Sequence, residues 1–450
     1  MNPYLQYMYS YPHKTAYRPL SGISLREYAC LLSGRGQSLY LHVPFCQAKC
    51  GYCNLFSVTG QSIQEIDLYL DGVERQLKQY QEVFSPYQTE FSDFTIGGGT
   101  PLILTAQQLY RMFSMVESYL NLSPGRELII ETAPNQTTRE KLELLKEAGA
   151  TRISIGIQSF SDRELRQLNR CHSAKRAREA MELLCSFHFP CINMDFIYGI
   201  PGQTTTSLLS SLKKALSFEP DELFLYPLYI KHGARLTKAV QDGLVLNPES
   251  TFSQYQEASR FLRSEGYRQD SMRRFVRQDQ PRTFSECGFG SSLALGCGGR
   301  SYLGKLHFCT PYGITRKDCL EELQKFQNTL DFTSITHGIL LSDEELKRRY
   351  VIRHLLILPG LSQLRYHQLF GSQLLEDFPL LDEWIEKGFL EQAKESPKAR
   401  GFLSLTETGM GLSDYLGPQL ISSEILKKME EWEVFYGQTY DFIPREPEKL

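Results

Sequence analysis

Short apolar segments alternate with longer amphipathic segments between Ser38 and Ile230. The short segments are rich in β-branched and aromatic residues, which favour strands; they are SLYLHV, DFTI, ELIIE, RISIGI, INMDFIY and ELFLYPLY. The segments between them place apolar residues three and four positions apart, which is the spacing of one helix face. This repeated order of strand and helix predicts a parallel sheet with helical crossovers.

The length of this region limits the type of barrel that it can form. A complete eight-unit barrel needs roughly 250 residues, whereas residues 38–230 provide 193. We therefore predict an α/β protein with a partial, TIM-like (β/α)6 barrel. Since catalytic groups of such barrels lie at the carboxyl ends of the strands, polar residues directly after each strand are candidate site residues.

The pattern changes on both sides of the predicted barrel. Residues 1–36 form an aromatic-rich lead, and the barrel core is predicted over residues 37–235. A segment rich in Gly and Arg at 236–340 is expected to cap the barrel and contact substrate. From 341 to 450 the order of three helices followed by short strands resembles a winged helix.

Composition narrows the class of function. The 450 residues are 41% hydrophobic and have a formal net charge of -3, which predicts a folded protein without electrostatic bias toward nucleic acid or anionic membranes. No apolar run reaches the ~20 residues needed to span a bilayer, and the start lacks the order of a signal peptide. We therefore expect a cytoplasmic protein that acts on a small molecule, with no nucleic-acid partner and no membrane span.

Three of the eleven cysteines are spaced as metal ligands. Cys46, Cys50 and Cys53 form a CxxxCxxC pattern directly after the first predicted strand. A four-iron cluster normally takes four thiolates, so three leave one iron with an open position, like that of a catalytic zinc site. The alternatives are a zinc site completed by a residue such as His42, or three buried thiols. No second CxxC or HxxxH occurs in the chain, which disfavours zinc.

The segment YLHVPFCQAKCGYCNLFS resembles the signature of radical S-adenosylmethionine (SAM) enzymes. Within them it is most similar to the group of oxygen-independent coproporphyrinogen III oxidases and haem chaperones. The resemblance implies a 4Fe-4S cluster on Cys46, Cys50 and Cys53, and one or two molecules of SAM. An electron from an external donor such as flavodoxin or ferredoxin would let the cluster cleave SAM to a 5'-deoxyadenosyl radical, while the protein positions the cofactor and excludes water.

Other motifs at predicted strand ends resemble the SAM-binding segments of the same group. A GGGTP motif follows the second strand, where an ordinary tight turn is the alternative interpretation. Each remaining candidate could instead be a cap, a helix-surface residue or a barrel-floor residue. The resemblance implies SAM contacts from Tyr40, Gly98, Gly99, Thr100, Glu131, Gln158, Arg170 and Asp195.

The segments that would bind substrate match the group less closely. CGYCNLFS lacks the further cysteine of the oxidase branch, and DSMRRFV has Arg273 and Arg274 where the oxidase has an acid and a histidine. These two residues and Arg300 could bind carboxylates through paired hydrogen bonds, or they could form a solvated basic face. His307 and Cys309 follow a Gly-rich loop and are candidates for proton transfer or nucleophilic attack, with buried packing as the alternative.

Together these features predict a radical SAM oxidoreductase of the coproporphyrinogen III oxidase type. Its expected substrate is a carboxylated small molecule, such as a tetrapyrrole of the porphyrin and haem pathway. The alternatives are a haem-binding chaperone of the same family and a two-SAM methyltransferase. A DNA-binding winged helix with a metal sensor is disfavoured, because the tail has no basic stripe and the barrel would have no purpose.

Overall fold

The computed structural model of the chain describes residues 2–8, 10–230, 234, 236, 247–279, 290–392 and 401–435. Cys287 and parts of the predicted spans 236–340 and 341–450 lie outside the described residues. The chain divides into two compact units, each built from segments that are distant in sequence. The barrel unit comprises 17–246 and 280–340, and the terminal unit comprises 1–16, 247–279 and 341–450. The predicted domain boundaries stay a prediction.

The strands occur in both units. They are β1 (Arg18–Ser24), β2 (Gln37–Val43), β3 (Phe45–Cys46), β4 (Val58–Thr59), β5 (Phe91–Gly98), β6 (Leu122–Thr132), β7 (Arg152–Gln158), β8 (Cys191–Tyr198), β9 (Glu222–Pro227), β10 (Tyr267–Gln269), β11 (Arg274–Arg277), β12 (Ser292–Leu295), β13 (Arg300–Leu303), β14 (Leu306–Cys309), β15 (Ser334–Leu340), β16 (Leu361–Ser362), β17 (Leu390–Gln392) and β18 (Phe402–Leu405).

The helices separate most of these strands. They are α1 (Ile63–Phe84), α2 (Ala106–Tyr119), α3 (Arg139–Glu147), α4 (Asp162–Gln167), α5 (Ala174–Cys185), α6 (Thr205–Leu216), α7 (Pro248–Ser264), α8 (Arg316–Asn328), α9 (Asp343–Leu355), α10 (Gln363–Phe370), α11 (Leu374–Asp377), α12 (Leu380–Glu386), α13 (Glu407–Gly411), α14 (Ser413–Gln419) and α15 (Ser423–Phe435). Short 3-10 helices span Lys14–Ala16, Leu25–Leu32, Ser85–Tyr87, Pro101–Ile103 and Pro134–Gln136. Among the described residues, every helix is too short or too polar to cross a lipid bilayer.

The barrel unit contains the predicted parallel sheet. Strands β2, β5, β6, β7, β8 and β9 are neighbours in this order, and each pair is parallel. Helices connect them, and reciprocal capping boxes at Thr105 and Thr204 start α2 and α6. On β7, Ile153, Ile155 and Ile157 are fully buried, as expected for a sheet strand covered by helices. The predicted α/β fold with a partial (β/α)6 barrel is confirmed.

An antiparallel extension continues this sheet beyond β2. Strand β12 pairs with β2 in parallel, and β13, β14, β15 and β1 follow in that order through antiparallel pairs. Part of the segment expected to cap the barrel, residues 292–340, therefore contributes strands to the barrel sheet. Strands β12 to β14 have four residues each, which is too short for a clear alternation of apolar and polar positions.

The terminal unit contains most of the remaining helices and a small antiparallel sheet. Strand β18 lies between β16 and β17. The chain passes through α9, β16, α10, α11, α12, β17 and β18, an order that fits the predicted winged-helix-like C-terminal region. Trp384 and Tyr366, each at most 2% exposed, lie in its core.

Candidate cofactor site

The three candidate metal ligands lie in one loop at the carboxyl end of β2. This cysteine loop, residues 46–57, joins β3 to β4, which pair in parallel. Hydrogen bonds fix it from outside: the backbone N–H of Gly51 donates to the Leu168 carbonyl at 2.8 Å, and the Asn169 amide donates to the Lys49 carbonyl at 3.0 Å. The loop is therefore anchored to the segment that follows β7.

The thiols of this loop are close enough to influence one another. Desolvation by the surrounding protein, then the charge of Cys53, raises the pKa of Cys46 to about 11. Desolvation and the charge of Cys50 likewise raise the pKa of Cys53. Bound iron would relieve this repulsion between thiolates. The three donors therefore fit a cationic cluster better than they fit an unliganded core.

Their arrangement also bears on the zinc alternative. Among the described residues, no three His, Cys, Asp or Glu side chains converge on the position of a single metal ion. A four-iron cluster is a larger body, so its thiolates lie farther apart than the ligands of one zinc ion. His42, the suggested fourth ligand, has both ring nitrogens in contact: Nδ1 with the Tyr40 hydroxyl at 3.2 Å and Nε2 with the Phe56 carbonyl oxygen at 3.0 Å.

The GGGTP motif packs its backbone directly against the start of the cysteine loop. A Cβ atom added to Gly99 would lie 2.5 Å from the Phe45 carbonyl oxygen, and one added to Gly98 would lie 2.8 Å from the His42 ring. Gly98 also has a φ of +114°, which side chains rarely adopt. The hydroxyl of Thr100 donates to the Cys46 sulfur at 3.8 Å. These contacts require glycine for close approach, beyond the needs of an ordinary turn.

Two carboxylates, one near the end of β6 and one within β8, face the same pocket. Desolvation, then the charge of Asp195, raises the pKa of Glu131 to about 7, and desolvation raises the pKa of Asp195 to about 6. The Gly98 N–H donates to Glu131 at 3.2 Å, and the Asn193 amide donates to Asp195 at 2.8 Å. A cationic ligand would be favoured between such carboxylates, because it would offset the cost of desolvating them.

Arg170 joins the carboxyl end of β7 to the cysteine loop. One guanidinium nitrogen donates to the Cys50 sulfur at 3.1 Å, and another donates to the Gly156 carbonyl at 2.6 Å. Between Gly156 and Gln158 the register with β8 shifts, and Gln158 has a φ of +67°. A left-handed conformation at a residue other than glycine is strained, and such strain concentrates at ligand sites.

All of the predicted cluster and SAM residues except Tyr40 line a single pocket at the carboxyl ends of β5 to β8. The predicted site residues found there are Cys46, Cys50, Cys53, Gly98, Gly99, Thr100, Glu131, Gln158, Arg170 and Asp195. Tyr40 takes part indirectly, through its hydroxyl contact with His42. The roles of these residues stay predictions, but the fold brings together groups that are up to 149 positions apart in sequence, as from Cys46 to Asp195.

A family comparison agrees with this geometry. The profile described as the radical SAM superfamily matches residues 40–215, the stretch that contains the cysteine loop and the pocket. Over this stretch the chain is similar to radical SAM proteins. The radical SAM family that this stretch matches implies a 4Fe-4S cluster and SAM as cofactors.

Among the similar proteins are haem chaperones and a coproporphyrinogen III oxidase. The haem chaperone HemW of Bacillus subtilis is 26% identical over 368 residues, which cover 80% of this chain and 94% of that protein. HemW of Mycobacterium tuberculosis is 31% identical over 220 residues, 48% of this chain and 56% of the relative. The oxygen-independent coproporphyrinogen III oxidase of Escherichia coli is 25% identical over 407 residues, covering 85% and 86%.

A solved structure gives the same fold. The radical SAM enzyme coproporphyrinogen III oxidase, HemN, from Escherichia coli superimposes with a TM-score of 0.78 at 22% identity, covering 95% of this chain and 97% of that one. The predicted resemblance to a radical SAM group of HemN-like and HemW-like proteins is confirmed.

The sequence reasoning missed Gln47, which lines the pocket, and two residues that contact pocket residues, Asn169 and Asn193. Asn169 and Asn193 position Lys49 and Asp195, respectively. Both lie inside the LNR and NMD motifs, so closer inspection of those motifs could have found them. Gln47 accepts hydrogen bonds from Asn135 at 3.1 Å and from Gln136 at 3.2 Å. No local signal marks that contact, because it joins the cysteine loop to the end of a distant strand.

The candidate substrate arginines 273 and 274 lie in the terminal unit. Arg273 is 5% exposed, forms an ion pair with Asp414 and stacks on Tyr7, with its guanidinium carbon 3.6 Å from the ring centre. Arg274 is 2% exposed. The described contacts of Arg273 serve the packing of its own unit, which leaves its guanidinium little capacity for a substrate carboxylate. A role of these two residues in substrate binding stays a prediction.

Arg300, His307 and Cys309 lie in the barrel unit on adjacent strands. Arg300 pairs with Cys309, and Tyr302 pairs with His307, whose ring it meets edge-on at 4.8 Å. Tyr302 also pairs with Ser292, and Ser292 pairs with Ser38. Cross-strand partners and residues two apart share a sheet face. These three candidates therefore lie on the sheet face that carries Tyr40.

Proposed function

We propose that this chain is a radical SAM oxidoreductase of the coproporphyrinogen III oxidase type, acting on a carboxylated tetrapyrrole. The observation that supports the proposal is the single pocket in which three thiols, two carboxylates, an arginine and a glycine-rich strand end meet. When bound, the cluster and SAM supply the one-electron cleavage that yields a 5'-deoxyadenosyl radical.

The chain's own residues bind and orient these cofactors. Cys46, Cys50 and Cys53 hold the cluster, and Arg170 offsets the charge of the Cys50 thiolate through its 3.1 Å hydrogen bond. The carboxylates of Glu131 and Asp195 bind the cationic or hydroxyl groups of SAM. Gly98 and Gly99 of the GGGTP motif carry no side chain, so the methionine part of SAM would be able to approach this strand end closely.

The substrate lies along the same sheet face. Arg300 binds a carboxylate of the substrate through its guanidinium, while His307 or Cys309 transfers a proton. Their register with Tyr40 supports this assignment, because it puts all of them on one face of the sheet. One relative is described as an oxygen-independent coproporphyrinogen III oxidase, a name that supports a porphyrin substrate.

Haem binding is a second candidate function. It is favoured by the relatives described as haem chaperones and by the absence of a further cysteine soon after Cys53 in CGYCNLFS. A chaperone would bind haem in a fixed ratio without consuming SAM in a substrate-dependent way.

An anaerobic assay tests both functions. The reconstituted protein is analysed for iron and sulfide and incubated with dithionite and SAM, alone and with coproporphyrinogen III or haem. We expect 5'-deoxyadenosine, with more released in the presence of coproporphyrinogen III. Cys50→Ala should abolish release, whereas Cys30→Ala, which removes an exposed thiol, should not. Absence of 5'-deoxyadenosine from fully loaded protein would overturn the enzyme proposal, and S-adenosylhomocysteine would indicate methyl transfer instead.

A further inference from the structure

The segment that anchors the cysteine loop is strongly basic. Residues 162–178 contain six Lys or Arg and two Asp or Glu, within a chain of net charge -3. Neither acid is available to a partner: Glu164 is buried and accepts from Ser159 and Ser207, and Asp162 accepts from the Ala174 N–H. The segment therefore presents an excess of positive charge to solvent.

Three of its cations are exposed and are not neutralised within the described residues. Arg163 and Arg166 on α4 and Arg178 on α5 are exposed and form no ion pair there. Lys175 and Arg176, by contrast, pair with Glu179. The bond between Asp162 and Ala174 holds the start of α5 at the start of α4. We call Arg163, Arg166 and Arg178 the basic rim.

The basic rim belongs to the same segment as Arg170, which contacts the candidate cluster ligand Cys50. Arg170 lies between α4 and α5, and its guanidinium donates a hydrogen bond to the Cys50 sulfur. The next residue, Cys171, is exposed to solvent. The same segment bonds to the backbone of Lys49 and Gly51. The rate of electron transfer between proteins falls steeply with distance. A carrier protein would therefore reduce the cluster fastest if it docked where a cluster ligand lies close to the protein surface.

We propose that the basic rim is the docking surface for a small acidic one-electron carrier protein that reduces the cluster. This inference depends on the proposed function, since only a redox cluster needs an external electron. Complementary charge fits such a partner, because unpaired cations around an entry point steer an acidic protein to it and raise its association rate.

Nucleic acid is the other polyanion that a basic surface could attract. Binding of single strands commonly combines a basic groove with aromatic side chains on which bases stack. Residues 162–178 contain no Phe, Trp or Tyr. The composition therefore favours an acidic protein, and nucleic-acid binding becomes an outcome of the test.

The test compares two double charge reversals in the full-length chain. Arg163→Glu with Arg166→Glu alters the basic rim, and Arg26→Glu with Arg35→Glu is the control. Arg26 and Arg35 have exposed side chains and precede β2, so they lie at the amino end of that strand, away from the pocket. Circular dichroism and the melting temperature check that both variants fold.

The primary measurement is the Kd of a flavodoxin for the cluster-free chain, as a function of salt concentration. We expect the rim variant to bind about tenfold or more weakly and to lose most of the salt dependence, given the size of steering effects. The control should stay within about twofold of wild type. Equal weakening in both variants, or in neither, would overturn the proposal. So would rim-dependent binding of a short single-stranded oligonucleotide without any binding of flavodoxin.

A second measurement separates this inference from the proposed function. SAM cleavage by cluster-loaded protein is driven once by reduced flavodoxin and once by dithionite, which needs no docking surface. The rim variant should lose about tenfold in kcat/KM for flavodoxin while its dithionite-driven rate is unchanged. If wild type fails with dithionite, the proposed function fails. If dithionite works and the rim variant keeps full flavodoxin-driven activity, only the docking proposal fails.

Discussion

The pocket of the barrel unit and the core of the terminal unit both hold charged side chains in a desolvated environment, but they stabilise them differently. In the terminal unit, Arg273 and Asp414 are almost fully buried and neutralise each other, and Tyr7 covers the guanidinium. In the pocket, desolvation raises the pKa of both Glu131 and Asp195, and the charge of Asp195 raises the pKa of Glu131 further, so that both pKa values lie well above their usual range.

The difference separates a structural charge from a functional one. In a buried ion pair each charge neutralises the other. Removing one partner leaves an uncompensated buried charge and lowers the stability of the fold. Like charges kept together beside a cavity cost stability until a ligand of opposite charge arrives.

Arg273→Met should destabilise the protein by about 3–5 kcal/mol, because it leaves the Asp414 carboxylate buried without its partner. Urea unfolding followed by circular dichroism measures the change. The double variant Arg273→Met, Asp414→Leu should recover most of it, since an apolar pair can replace a buried ion pair. Iron content per folded molecule should not change. If the single variant is as stable as wild type, the pair is not the structural contact described here.

Glu131→Gln should weaken SAM binding to the cluster-loaded protein by roughly 10- to 100-fold, the usual cost of losing a hydrogen bond to a charged group. Stability should not fall, because the amide oxygen can still accept from the Gly98 N–H and a desolvated carboxylate is removed. Calorimetric titration with SAM measures the affinity. Glu127→Gln, on the same strand but outside the pocket, is the matched control and should bind SAM normally. If Glu131→Gln binds SAM with unchanged affinity, the Glu131 carboxylate does not contribute to SAM binding.

Titration of Glu131 and Asp195 should lower the stability of the ligand-free protein as pH rises from about 4 to about 7. The folded-state pKa values of these two acids are raised above their ordinary values, so in this range the two groups bind more protons in the folded state than in the unfolded state. SAM affinity should change in the opposite direction, because the carboxylates must ionise to attract a cation.

Melting temperatures across this pH range test the sign of the effect. The melting temperature of the double variant Glu131→Gln, Asp195→Asn minus that of wild type should rise with pH, because its two amides do not titrate. A difference that stays constant across this pH range would mean that these two carboxylates do not contribute to the pH dependence.

Gln158→Gly should produce the smallest effect. Glycine adopts a φ of +67° without strain, so the backbone should be stabilised by at most about 1 kcal/mol. SAM affinity should nevertheless fall if the Gln158 side chain contacts the cofactor. Denaturant midpoints and SAM titration on the same sample separate the two. Lower stability together with normal SAM binding would contradict both parts of this interpretation.

The sequence predicted the barrel because its signals are local. Each parallel strand is a short apolar run, and each crossover helix has its own apolar stripe and cap. The site residues could be predicted for the same reason, because their signals are also local. Cys46, Cys50 and Cys53 lie within eight positions of the sequence. Glu131 and Asp195 lie on strands whose carboxyl ends face the pocket.

What the sequence could not show depends on distant pairing. The extension from β12 to β15 consists largely of four-residue strands whose partners lie far away, so no periodic signal marks it. Arg273 was assigned to substrate because its segment is rich in arginine, yet its partner Asp414 is 141 positions away. No composition rule links those two residues. The contact of Gln47 with Asn135 is invisible for the same reason.

The anchoring of the cysteine loop has a consequence for how the protein matures. The bonds from Gly51 to Leu168, from Asn169 to Lys49 and from Thr100 to Phe45 involve only protein atoms. The loop can therefore take its shape before iron arrives, and little conformational entropy is lost when the metal enters. Assembly of the cluster can then follow translation and folding as a separate step, in which the newly synthesised, already folded polypeptide provides a preformed binding site for iron and sulfide.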